Sequence, residues 1–141
     1  MQIGNYQHNY QWTEKWGQIP DTDSAREGWA HHGIVVSNTS NVISFHQGEK
    51  SLITFDSNGT LVDSCATSVQ NAHGMTLVQE GDDEFIWLAD NVSGQVVKVD
   101  LGGNVVANIS RPDIEIYASG GKYSPTDVAV YEERLGGKGE I

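Results

Sequence analysis

The sequence has little of what holds a small protein together other than packing. Cys65 is its only cysteine in 141 residues, so neither an intrachain disulfide nor a thiolate metal cluster is available. Only three prolines fix the backbone. Basic residues are scarce: eight Lys and Arg against nineteen Asp and Glu, a formal net charge of −11. Nucleic acid and anionic membrane surfaces both call for a basic stripe, so the chain is expected to bind neither. No run approaches the roughly 20 apolar residues of a membrane span. The opening residues, MQIGNY, carry no basic and apolar leader, and the default expectation is a cytoplasmic protein. No stretch sustains a 3.6-residue apolar period, which argues against a solenoid of helix pairs. Phosphate-binding glycine loops, G-x-S-x-G elbows and paired-Cys motifs do not occur.

What the chain does have is sixteen glycines and short β-rich runs closed by turn residues. Residues 71–100 are the clearest stretch. A His-Gly step leads into an apolar run at 75–78. After the acidic turn EGDDE comes a second run at 85–89, ending in Asp90. A Gly turn then leads to a third run at 96–99. This is the pattern of an antiparallel meander. EGDDE has the composition of a calcium loop without the glycine spacing of one, and reads as a solvated turn.

The same unit stands upstream. His32-Gly33 opens it, strands are expected at 34–36, 42–45 and 51–55, and Asp56-Ser57-Asn58-Gly59 is a hairpin turn before an outer strand at 60–63. His32 and His73 are 41 residues apart, and the Asp56–Gly59 turn aligns with Asp100-Leu101-Gly102-Gly103. A period near 40 with four strands per unit is the signature of propeller blades. The fold class is therefore all-β, a β-propeller of four-stranded antiparallel blades. Residues 1–28 are an aromatic strand and loop, with 6–16 expected to pack as an edge or closing strand. Residues 29–70 are blade 1 and 71–110 blade 2. Residues 111–141 are a connection and the start of blade 3, with Thr126 in the position of His73, a turn at 132–138 and a strand from 139. Two blades and part of a third do not close a ring, so the expectation is the N-terminal portion of a longer propeller. The alternative is a partial ring completed by other copies.

Three stretches carry a family resemblance. Ala72-His73-Gly74-Met75 with Trp87-Leu88-Ala89-Asp90 and Gln95-Val96-Val97-Lys98 is the first. Ser124-Pro125-Thr126-Asp127-Val128-Ala129-Val130 is the second, and Phe45-His46 the third. Together they resemble NHL-type repeats, most closely the six-bladed propeller of the peptidyl-α-hydroxyglycine α-amidating lyases and their bacterial homologues. The resemblance implies a zinc-dependent lyase that splits a carbinolamide, with three zinc-binding His residues on different blades. His73 matches one of them; the others, and the family's catalytic tyrosine, would lie beyond Ile141. It also implies a structural calcium held partly by backbone carbonyls, at positions matched by Ile34 and Met75. Gln47 stands where the family has a substrate-binding arginine, and an amide cannot supply a guanidinium fork.

The residues themselves keep two classes open. A His opening an inner strand points toward the blade axis, and several such imidazoles can build an open tetrahedral zinc site. One alone cannot, so neither zinc nor calcium is expected to bind these 141 residues tightly, and no turnover is expected of them. His73 is the first candidate ligand and His32 a weaker one; His46 is a candidate polar group facing the channel. The other class is a non-catalytic propeller that binds a peptide or small ligand, or serves as a scaffold. In either case the remaining blades, or another copy, should cover the open blade faces. Asp90 and Asp100 read as turn-binding carboxylates, Trp87 as packing between blades, and Cys65 as a structural or incidental thiol.

Overall fold

The computed structural model describes residues 1–27 and 32–131. Strands dominate. β1 (Gln2–Asn5) and β2 (His8–Gln11) form a hairpin of their own. The first four-stranded sheet comprises β3 (Ile34–Val36), β4 (Val42–His46), β5 (Ser51–Phe55) and β6 (Leu61–Ala66). The second comprises β7 (Ala72–Glu80), β8 (Asp83–Asp90), β9 (Gln95–Asp100) and β10 (Val105–Ser110). In both sheets the strands lie in chain order and every neighbouring pair is antiparallel. Two single-turn helices, α1 (Asp23–Arg26) and α2 (Glu115–Ala118), lie in the connections.

Strict alternation gives the second sheet two apolar faces. On one side Met75, Ile86, Leu88, Val97 and Val99 meet Val35, Ile43, Phe45 and Leu52 of the first sheet. On the other, Val78, Trp87 and Val96 meet Val128, with Phe85 and Val130 alongside. The period-2 pattern therefore puts consecutive residues of β8 into different cores, which is how its apolar stretch 85–89 comes to be buried on both sides. Trp87 packs between units, as expected from its position.

The hairpin turns repeat down to single atoms. The Asp56 carboxylate accepts from the backbone N–H of Asn58 (2.8 Å) and Thr60 (2.9 Å), and the Asp100 carboxylate accepts from Asn104 (2.9 Å). Each turn carries a left-handed glycine, Gly59 at φ +82° and Gly103 at φ +81°. Each glycine also lies against a backbone carbonyl: a Cβ on Gly59 would come within 1.8 Å of Trp16 O, and one on Gly103 within 2.6 Å of Ala66 O. Only glycine satisfies both demands.

Four expectations change. Residues 6–16 do not add a strand to either sheet. Gln2–Asn5 and His8–Gln11 satisfy each other, and Tyr6 and Tyr10 remain 94% and 61% exposed. Trp16 is the residue that reaches the body, packing on Phe55 at 6.0 Å between ring centroids. The loop at 17–28 contains α1, because Thr22 caps it by accepting from Ala25 N–H. Cys65 sits within β6 rather than after it. Residues 125–130 form no regular strand, although they lie along β7, where Thr76 Oγ1 donates to Val128 O at 2.6 Å. The turn expected at 132–138 and the strand from 139 lie outside the described residues.

Candidate functional site

The His-Gly steps sit where one unit meets the next. His32 Nδ1 lies 2.7 Å from Ala72 O, and His73 Nδ1 lies 2.9 Å from Thr126 O. Gly33 N–H donates to His73 O at 3.0 Å. The glycines permit this approach: a Cβ on Gly33 would lie 2.8 Å from Met75 N, and one on Gly74 would lie 2.6 Å from the Asp127 Cα. Histidine thus ties each inner strand to the next unit, and the adjacent glycine lets the backbones come close enough for it. His32 bonds the residue just before His73, and His73 bonds Thr126. By this contact Asp127, rather than Thr126, stands to His73 as His73 stands to His32.

His32, Ile34, His73, Met75, Thr126 and Asp127 line one open recess of about 500 Å³. The structure therefore brings together the four candidates His73, His32, Ile34 and Met75. With Nδ1–H donating to a carbonyl, the basic nitrogen of each histidine is Nε2, and in His32 that atom is buried. The donor set nevertheless falls short of a metal centre: among the described residues no three His, Cys, Asp or Glu side chains converge. A catalytic zinc needs three protein ligands, and the fit fails on that count.

His46 and Gln47 lie elsewhere. His46 is 5% exposed, and its Nε2 and Nδ1 face Thr22 Oγ1 (2.7 Å) and Ser24 Oγ (3.4 Å). It clamps α1 and its cap onto the first sheet. Gln47, in the β4–β5 turn, borders a shallow open cleft with Ser24, Lys50, Gln70 and Val92. The sequence signal for the clamp was present in Thr22-Asp23-Ser24, an N-cap pattern inside the supposed loop.

Two further groups shape the electrostatics. Asp90, 1% exposed, accepts from the backbone N–H of Gln70, Asn71, Val92 and Ser93 at 2.9–3.2 Å. Burial works to raise its pKa, but the bonds from Gln70, Ser93 and Val92 outweigh it and hold the carboxyl below its ordinary value. The Cys65 thiol is pushed upward, by burial first and then by Asp63 and Asp100, which is the opposite of an activated nucleophile.

No family model, curated protein or solved structure matches the chain. No helix among the described residues is long and apolar enough to cross a membrane.

Proposed function

We propose that the chain is a run of NHL-type propeller blades, two formed and a third begun, and that its working surface is the recess along the inner strands, where a peptide or small ligand binds. The repeated histidine tie carries this reading. The same Nδ1-to-carbonyl bond joins unit one to unit two and unit two to residues 125–130. Units joined by one repeated contact progress around a common axis, which is the way propellers are built. Remaining blades, or another copy, would cover the second face of the first sheet.

A lyase-like metalloenzyme is the second reading, favoured by the orientation of His73, whose Nε2 is the basic nitrogen at the recess. It requires ligands from elsewhere, and Gln47 removes the charge that would hold a carboxylate. These 141 residues are therefore expected to bind without turnover. Incubation with Zn²⁺ and a peptidyl-α-hydroxyglycine tests this. The binding reading expects no product, and amide shifts at His32, His73 and Asp127 when a peptide pool is added. Zinc-dependent product that disappears in His73→Ala would replace it with the enzyme reading.

A further inference from the structure

The recess along the inner strands carries charge of one sign. Among the residues that border it, Asp127 is the one acid, and there is no lysine or arginine. Asp127 is exposed, and no ion pair among the described residues includes it. Its Oδ1 accepts from the Val128 N–H at 2.9 Å and lies against Gly74, where a Cβ would come within 2.3 Å of it. The carboxylate is thus fixed at the start of β7 by its own backbone and by the glycine that admits it. Beside it the recess is apolar: Ile34 lies exposed at its border, and Met75 stands buried behind.

We propose that the recess takes the basic side chain of a peptide, with its cationic nitrogen on Asp127 and its alkyl stem along Ile34 and Met75. The inference rests on the reading of this recess as the working surface, and names what it holds. A single carboxylate suits a monovalent organic cation. A metal ion would need more ligands, and no three His, Cys, Asp or Glu side chains converge among the described residues. An acidic side chain would meet Asp127 and, around it, a chain of net charge −11, whereas a basic one is drawn by both. Lysine and arginine join a charged head to an apolar stem, which matches a carboxylate set beside exposed aliphatic surface.

Amide NMR titration of the whole chain tests it with capped tripeptides: acetyl-Ala-Lys-Ala-amide, its neutral all-alanine counterpart, and an acidic one with Glu at the centre. The lysine peptide should shift the amides of Gly74, Met75 and Asp127. At roughly 0.05 M NaCl it should bind at least about threefold more tightly than the neutral peptide, and lose most of that advantage near roughly 0.5 M. The acidic peptide should bind least. Asp127→Asn keeps an acceptor for the Val128 N–H and removes the charge, so it should erase the preference for lysine. Asp82→Asn, the same change of charge in the β7–β8 turn, should leave the preference intact. Equal binding of the lysine and neutral peptides at these amides overturns the proposal while the recess reading stands. A preference that survives Asp127→Asn, or that Asp82→Asn abolishes as fully, also overturns it, because the field of the whole chain would then be the cause. No shift at these amides with any of the peptides overturns the recess reading, and the inference with it.

Discussion

The two sheets have the same topology and different surroundings. The second is covered on both faces, by the first sheet and by residues 125–130. Among the described residues, the first has a sheet on one face only. Its other face receives Trp16 and Ile19 from the N-terminal segment, which leave a cleft of about 240 Å³ bordered by Ile34, Val42, Ile53 and Phe55. Met75 of β7 and Ile34 of β3 hold equivalent places after their His-Gly steps, yet Met75 is 9% exposed and Ile34 66%. A repeat unit buries its inner strand only when a neighbour supplies the opposite wall.

The largest test of this contrast is truncation of the buried side. Leu88→Ala should cost ~2–5 kcal/mol and Met75→Ala a similar amount, whereas Ile34→Ala should stay within ~0.5 kcal/mol, all by urea denaturation. An equal loss at Ile34 would mean that the first sheet is covered in solution.

Next comes Asp90, for which the first sheet has no described counterpart of equal burial. Asp90→Ala leaves buried N–H groups unpaired and should cost ~2–3 kcal/mol at neutral pH. Because its folded pKa is depressed, the contribution of Asp90 is complete above the unfolded value of about 3.9 and is lost as pH falls through the folded value. Thermal melts between about pH 2 and 6 should fall steeply in the wild type and less in Asp90→Ala.

The histidine ties should cost less. His73→Ala is expected to lose ~1 kcal/mol, the net worth of one hydrogen bond. His32→Ala should lose somewhat more, since its ring also meets Phe45 edge-on at 5.4 Å. Cysteine accessibility at Cys65, which is half-buried against the shared core, gives a second readout of loosening between the sheets. The smallest effect belongs to the twin turns. Asp56 is lowered chiefly by the Thr60 N–H, and Asp100 by the Asn104 side chain. Asn at either position should shift the acid limb of stability slightly and by like amounts. Chemical-shift titration of both carboxyls would show whether the turns are as equivalent as their geometry.

The strands and tight turns were legible because their determinants are local. Apolar runs closed by turn residues marked β8 and β9, and Asp56 and Asp100 announced turns through residues four positions away or fewer. The burial of Asp90 was not legible, although turn bonding was expected, because two of its donors, Gln70 and Asn71, precede it by about twenty residues. The partners of His46 were out of reach for the same reason: Thr22, which caps α1, and Ser24 within it stand more than twenty residues upstream. The N-terminal aromatics looked like a packing surface by composition. Backbone pairing between β1 and β2 left most of them outside. As for the candidate metal ligands, sequence placed His73, His32, Ile34 and Met75 at equivalent starts, and they do share a recess. A three-ligand centre depends on convergence, which spacing along a chain does not encode.

The glycine turns and the histidine ties bear on the order in which the protein is made. Gly59 settles on Trp16, and Gly103 on Ala66, so each turn finds a surface already synthesised. His32 and His73 look the other way, since their acceptor carbonyls at Ala72 and Thr126 emerge later. The junction between the two sheets therefore carries one contact of each kind, Gly103 on Ala66 and His32 on Ala72. On a ribosome delivering residues from the N-terminus, the first sheet can set against the segment behind it while its inner edge stays ready for the sheet still to come.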